Sequence, residues 1–567
     1  MAETRTIANL WRNAVAAGHP DPAYLYESGG EWRELERADA ARTVDELANG
    51  LLALGIRKGE AFALLGRTTL EWALFDFALG LVGAVGAPVY SSSSARDVQY
   101  VLEHSEAVGV LVEDDEQLAK VAGFGGHVIT FAGLDELRAR GRAWAAEHPG
   151  ELDARADSID EDDLFTFIYT SGTTGPPKAC MIRHRNYYAM VQKSDEMEDK
   201  LLEPGDVMLL YLPLAHNYGR LLHLSAAYHG FTIAFLPDPL QAAAALPQVR
   251  PTIFPSVPRV YEKIHAAVIA GFDERTGAQR RIVDWALGVG RRVSRLRQAK
   301  QPVPRLLAAQ HRIADRLVYS KVKERLGGRL RVANAGCAPL SRVIVEFFHS
   351  IDILVLEGYG LSEVTTAATV NRPSAFKFGT VGRPMPGVEL RIADDGEILI
   401  RSNTVFAGYY RDDEATRATI DDEGFVHTGD IGHVDEDGFL VITDRKKDII
   451  VTAGGKNVAP QNLENELKAN RVISQALVVG DRKPYIAALV TLDEEATRGM
   501  SAAAAHSAVQ EAIDAVNAER SRYEQIKRFT IVPREFSADH DEVTPTLKLK
   551  RNVIIDHFSD EVAKLYA

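Results

Sequence analysis

Tyr169 to Lys178 reads YTSGTTGPPK, a hydroxyl-rich turn with two glycines, two prolines and a closing lysine, directly after the strand-like LFTFIY. Glycine lets the backbone approach an anion, hydroxyls donate to it, and lysine supplies the counter-charge. Thr170, Ser171, Gly172, Thr173, Thr174, Gly175 and Lys178 therefore form a candidate phosphate cradle; taken alone, the stretch reads equally well as a flexible surface loop. It is not a Walker A loop, because Pro177 precedes Lys178 and Ala179 follows it. AGGKNV fails the same test: Ile450 stands where the first glycine must be, and Asn457 follows the lysine. The sixteen histidines show no ligand spacing with cysteines or acids, and no G-x-S-x-G elbow occurs. Zinc and serine-hydrolase chemistry are thus unsupported.

Such a cradle needs a scaffold, and 567 residues are too many for one core. Hydrophobic residues at 46% and charged residues at 25% are ordinary for a soluble globular chain. A net charge of −14 argues against a nucleic-acid partner, and two cysteines, Cys180 and Cys337, suit a reducing compartment. No charged, apolar leader opens the sequence, so a cytoplasmic location is expected. The longest apolar run, Phe77 to Tyr90, is broken by Gly80, Gly83, Gly86 and Pro88, and reads as a buried helix and turn.

The first part alternates helix and strand patterns. DAARTVDELANGLLALGI is helical and is expected to stop at the glycine of IRKGE; AFALLG reads as a strand; Ser94 and Asp97 have capping-box spacing; VGVLV is a strand. This alternation indicates α/β layers with parallel strands. The acidic ELDARADSIDEDD reads as a surface loop. DDEGF and DEDGF look like hairpin connections, and Ile473–Asp493 reads as strands followed by a helix, as in a small α+β unit. Between Arg275 and Arg331 lie sixteen basic residues against three acidic ones, an excess of thirteen, so the remainder of the chain carries −27. The pattern there is helical. Solvated helix faces are the plain reading, and a face for anionic lipid or ligand phosphates the sharper one.

Further stretches follow in order: YLPLAHNYGR, NAGCAPLS, EGYGLSE, HTGDIG, ITDRKKDIIVTAGGKNVAP and TPTLKLKR. Together with YTSGTTGPPK they resemble the signatures of the adenylate-forming (AMP-dependent synthetase/ligase) superfamily, from about residue 165 to the end of the chain. The resemblance implies a large N-terminal domain of layered α/β subdomains, 1–444, which binds ATP and the acid. It also implies a small mobile α+β C-terminal domain, 445–567, with its hinge at Lys447. The implied chemistry is activation of a carboxylate on ATP, with Mg²⁺, followed by transfer to CoA.

Two anions must meet in the first step, so the site must supply positive charge and alignment. The resemblance places the adenylation lysine at Lys548 and the Mg²⁺ ligand at Glu363, beside Ser362; magnesium often takes only one or two carboxylates, leaving phosphates and water for the rest. Tyr359 resembles the adenine platform, with Glu357, Gly358 and Gly360 around it and Ala335, Gly336 and Cys337 opposite. Asp430 fits a ribose diol, since a carboxylate accepts from both hydroxyls, and Arg445 resembles the second ribose contact. Rotation at Lys447 would withdraw Lys548 and bring Gly454, Gly455 and Lys456 toward the thiol, the glycines admitting a pantetheine arm. His216 resembles the residue beside the substrate carboxylate; a lone histidine is otherwise an ordinary structural residue. Ala179, Asn334, Cys337, Asn217, Tyr218 and Gly219 depart from the usual pattern; Ala179 is a harmless change, and the others bear on substrate choice.

Leu547 and RPTIFPSVPRVYEKI look like the long-chain fatty acyl-CoA synthetase branch, with Val257, Pro258 and Tyr261 as candidates for the acyl mouth. The expected partners are fatty acid, ATP and CoA, not nucleic acid, with peripheral contact to the inner face of an anionic membrane through residues 275–331. Two other readings stand beside this one: a fatty acyl-AMP ligase or carrier-protein loader, and a nucleotide- or lipid-binding regulator without catalysis.

Overall fold

The computed structural model describes residues 4–170, 176–518, 520–544 and 548–567. Two large sheets dominate. One has six strands in the order His127–Thr130, Gly109–Val112, Ala61–Gly66, Val85–Tyr90, Leu164–Thr170 and Lys178–Arg183, all parallel except the last. The other has nine strands and runs parallel from Tyr24–Ser28 through Thr232–Phe235, Val207–Leu210, Ile253–Ser256 and Val332–Ala335 to Val355–Tyr359, with antiparallel strands at both edges.

These parallel strands are apolar on both faces because helices cover both. The helix Leu70–Val82 is buried along almost its whole length, including Trp72, Phe75 and Phe77. Each such side chain contributes about 1.5–3 kcal/mol by leaving water. One continuous core joins this helix to Ile7–Ala16, His184–Gln192 and Asn217–His229, and so couples the two sheets. A four-stranded antiparallel sheet, Val388–Ile392 to Leu440–Arg445, follows, with DEDGF forming its last hairpin.

Residues after 450 have their own cores. In Ile473–Val479 and Ile486–Leu492 alternate side chains point to opposite faces. Ala476, Val478, Ala488 and Val490 meet the helices Pro460–Lys468 and Ala502–Asn517. Leu477, Val479, Ala487 and Leu489 meet Arg551–His557 and Ser559–Leu565.

Three sequence expectations are corrected. The helix Arg37–Ala53 ends at Gly55, whose φ of +82° suits a C-cap, before IRKGE begins. ELDARADSIDEDD opens as a helix, Glu151–Asp157, because Glu151 and Asp153 lie against the positive end of its dipole. The run Phe77–Tyr90 is a helix followed by a full strand, Val85–Tyr90, reached through Gly83 in the left-handed region.

Candidate active site

The expected site residues gather at the C-terminal ends of the parallel strands, the usual place for ligands in such sheets. Val332–Ala335 delivers Ala335, Gly336 and Cys337; Val355–Tyr359 delivers Glu357, Gly358, Tyr359 and Gly360. A Cβ on Gly336 would stand 3.2 Å from the Tyr218 ring, and one on Gly360 would stand 1.6 Å from the Thr366 carbonyl oxygen, so neither position accepts a side chain without a shift. Glu357 turns its carboxylate to the Leu340 N–H at 3.0 Å, tying the Asn334–Ser341 loop to the neighbouring strand. Burial pushes this carboxyl up to about 7 against that hydrogen bond. Cys337 has a φ of +71°, and burial raises its thiol pKa while the Lys548 charge opposes the rise.

Ser362 and Glu363 open a short 3-10 turn after that strand. The Tyr409 hydroxyl donates to Glu363 Oε1 at 2.7 Å, and the Glu363 carbonyl accepts the Phe406 N–H. Among the described residues no group of three or more His, Cys, Asp or Glu side chains could hold a metal by itself. A single oriented, half-exposed carboxylate fits Mg²⁺ that takes its remaining ligands from phosphate and water.

At the candidate phosphate cradle, Leu164–Thr170 and Lys178–Arg183 form an antiparallel pair that brings Thr170 opposite Lys178. Ser171, Gly172, Thr173, Thr174 and Gly175 lie outside the described residues, as does Leu547. Lys178 Nζ stands 3.2 Å from Asp412 and 5.3 Å from the centre of the Tyr409 ring. Tyr100 donates to the Pro177 carbonyl at 3.1 Å, fixing the far end of the loop.

His216 is the N-cap of the helix Asn217–His229, with Nδ1 accepting the Tyr218 N–H at 3.1 Å. That bond puts the ring proton on Nε2, which is left able to donate to a carboxylate. Burial and then the Lys548 charge lower this histidine to about 4, so it is neutral at physiological pH.

Asp430 joins Tyr359 to Arg445: it accepts the Tyr359 hydroxyl at 2.6 Å and faces Arg445 Nε at 3.1 Å. Lys548 reaches the same cleft from a loop closed by the Thr544–Lys548 and Glu542–Lys550 backbone bonds. Its side chain still meets solvent, but the protein around it, and next the Arg445 charge, lower its pKa. Lys447 is lowered too, by partial burial and by Arg445. Three cations thus crowd one cleft beside Asp430 and Glu363, an arrangement that favours an anionic ligand.

Gly454, Gly455 and Lys456 lie in the exposed turn of the Ile450–Val451/Asn457–Val458 hairpin, where Gly455 and Lys456 bond Thr452 and Lys456 stands over the Tyr523 ring. Val257, Pro258 and Tyr261 are buried at the start of the helix Pro258–Asp273. The Tyr261 hydroxyl is bonded to the Phe254 and Asn334 carbonyls.

Three features escaped sequence reasoning. Arg220 pairs with Asp76 through both oxygens and bonds Thr166, all inside the core. It thereby ties the helix capped by His216 to the strand Leu164–Thr170. Asp76, a single acid in the apolar LEWALFDFALGLV, was the available signal. The Tyr409 and Asp412 contacts had none. The third is a set of polar contacts onto the helix Pro258–Asp273. Arg259 bonds the Ser474 carbonyl at 2.6 Å and faces Glu535 at 3.3 Å; Lys468 meets Glu262 at 3.1 Å and Arg471 meets Asp273 at 2.7 Å.

The fold and this cleft define an enzyme that handles a nucleotide. Residues 11–410 match the AMP-binding enzyme family, and residues 447–567 match the AMP-binding enzyme C-terminal domain. The chain is 39% identical to the long-chain-fatty-acid–CoA ligase FadD15 of Mycobacterium bovis, over 96% of this chain and 95% of that one. It is 30% identical to the long-chain-fatty-acid–CoA ligase ACSBG2 of Xenopus laevis, over 99% and 84%. The adenylation domain of a carboxylate reductase from Mycobacterium chelonae shares the fold, with a TM-score of 0.79 at 23% identity over 99% of this chain and 91% of that one. The protein belongs to the AMP-binding enzyme family.

Proposed function

We propose that this protein is a long-chain fatty acid–CoA ligase. The observation that carries this reading is the meeting of Lys548 with His216, Glu363 and the Asp430–Arg445 pair in one cleft. Long chains are favoured by the relatives at 30–39% identity named above.

In the first half-reaction a carboxylate oxygen of the fatty acid attacks the α-phosphorus of ATP. The α–β bridge bond breaks, pyrophosphate leaves, and an acyl adenylate remains. Lys548 bridges the two anions in this reading, and the His216 Nε2–H holds the carboxylate. Asp430 accepts from the ribose hydroxyls, with Tyr359 under the adenine and Arg445 beside it. Lys178 serves the outer phosphates after exchanging its Asp412 partner for them. Glu363, held by Tyr409, would bind Mg²⁺, which when bound neutralises phosphate charge. In the second half-reaction the CoA thiolate attacks the acyl carbon and AMP leaves. Residues 1–444 and 445–567 are read as two domains. Turning about Lys447 would withdraw Lys548 and bring Gly454, Gly455 and Lys456 to the cleft, with Val257, Pro258 and Tyr261 walling the acyl side.

No helix among the described residues is long and apolar enough to cross a membrane. The location we read is cytoplasmic, with peripheral attachment to the inner face of an anionic membrane through residues 275–331.

Mass analysis of products from pure protein, Mg·ATP and a panel of fatty acids, with and without CoA, tests the assignment. Acyl-CoA and AMP that require CoA, and are best with long chains, are expected. Acyl adenylate that ignores CoA would instead identify a loader of another acceptor, and no product from any acid would overturn the reading.

A further inference from the structure

Residues 277–325 fold into the helix Gly277–Gln298 and a second helical stretch. The second runs from Arg305–Ala314 through the π turn Asp315–Tyr319 into Ser320–Arg325. Its inner side is settled: His311, Ala314, Val318 and Tyr319 are buried, and the Tyr319 hydroxyl donates to the Ala286 carbonyl of the first helix. Its outer side is apolar where water meets it. Leu306, Ile313 and Leu317 are 74%, 54% and 43% exposed, and their spacing puts them in one line along the helix. The adjoining helix adds Ile282 and Trp285, 42% and 37% exposed. Of the fourteen large apolar side chains exposed among the described residues, five fall in this one segment. Scattered single exposures need no cause, whereas a cluster marks a contact surface.

Cations accompany the stripe. Arg305, Arg312 and Arg316 lie on the same helix and are exposed, and Arg281, Arg292 and Arg295 are exposed on its neighbour. Among the described residues no carboxylate stands within ion-pair distance of any of these six, whereas Arg280, Arg297 and Lys323 in the same segment are paired. Free positive charge is therefore abundant on the two helical stretches that carry the apolar line.

We propose that this face docks the enzyme on an anionic lipid bilayer, with Leu306, Ile313 and Leu317 entering the interface and the flanking arginines meeting lipid phosphates. The inference rests on the reading of the protein as a fatty acid ligase attached to a membrane and supplies the residues that do the attaching. The charge pattern selects the occupant. A second copy would place arginine rim against arginine rim. A nucleic acid offers phosphates but nothing to receive leucine and isoleucine. A bilayer offers anionic headgroups above hydrocarbon, matching both parts. Its substrate, a long apolar acid, partitions into the same phase.

Co-sedimentation of the full-length protein with phosphatidylcholine vesicles, with and without phosphatidylglycerol, tests the proposal. Binding that needs the anionic lipid and weakens with salt is expected. The combined variant Leu306→Gln, Ile313→Gln, Leu317→Gln should lose at least about tenfold in vesicle affinity. Arg305→Gln, Arg312→Gln and Arg316→Gln should each lose about fivefold. Ligation of acid delivered on cyclodextrin should be unchanged in every variant, while ligation of acid delivered in anionic vesicles falls with binding. Variants that bind like the parent, equal binding to neutral vesicles, or a parent dimer that the apolar variant dissociates with no vesicle binding would each overturn it. Vesicle binding without any fatty acid ligation would refute the proposed function and leave the docking face standing.

Discussion

Arg220 and Arg259 both hold a helix of the cleft through carboxylates and hydroxyls, but in opposite surroundings. Arg220 and Asp76 have no solvent exposure at all, and their partner Thr166 belongs to the strand Leu164–Thr170. Arg259 is 20% exposed and Glu535 43%, and the pair joins the large region to the C-terminal one. A buried pair cannot be separated without leaving a bare charge in the core, so it acts as a permanent clamp. A solvated pair exchanges for water at little cost and can release. The His216 side is thus tied through the core, and the proposed turning about Lys447 would have to break only contacts of the second kind.

The largest expected effect comes from removing what the releasable side delivers. Lys548→Ala should slow adenylation, read as pyrophosphate–ATP exchange, by roughly a hundred- to a thousandfold. Transfer to CoA from supplied acyl adenylate should persist; if both steps fail together, Lys548 is not specific to adenylation. Next, Arg220→Met should lower stability by about 3–5 kcal/mol, seen in the denaturant midpoint, because Asp76 stays buried without a partner. Arg259→Ala should move that midpoint by less than about 1 kcal/mol. It should instead slow pyrophosphate exchange about tenfold, with the CoA step intact; equal losses in both steps would erase the contrast with Arg220.

The smallest effect concerns pH. Glu357 titrates near 4.5 when unfolded and about 7 when folded, so ionisation favours the unfolded chain as pH rises between those values. Stability is fullest below 4.5 and declines toward 7. Glu357→Gln keeps an acceptor for Leu340 without this penalty, so its Tm advantage over the parent should grow by a few degrees across that window. A difference independent of pH would show that Glu357 does not carry the charge penalty.

Much of the fold was legible because apolar spacing and capping are local. Ser94 receives the Asp97 N–H as its spacing required, and AFALLG is a strand between covering helices. The acidic stretch after Gly150 was misread because composition alone does not reveal how well acids suit a helix N-terminus. Within the site, the motifs named the residues but not their present partners. Nothing local tells that Tyr409 holds Glu363 or that Asp412 holds Lys178.

The sequence by itself determined the α/β class, the set of groups able to do the chemistry, and the basic character of residues 275–331, since these depend on residue types at short spacing. Only the tertiary structure decided which groups meet. It brought Lys548 across from the far end of the chain to His216 and Glu363, left Gly454 and Gly455 outside, buried Arg220 against Asp76, and turned Leu306, Ile313 and Leu317 outward. Those outcomes depend on burial and on distances between residues far apart along the chain, which packing sets and local pattern does not contain.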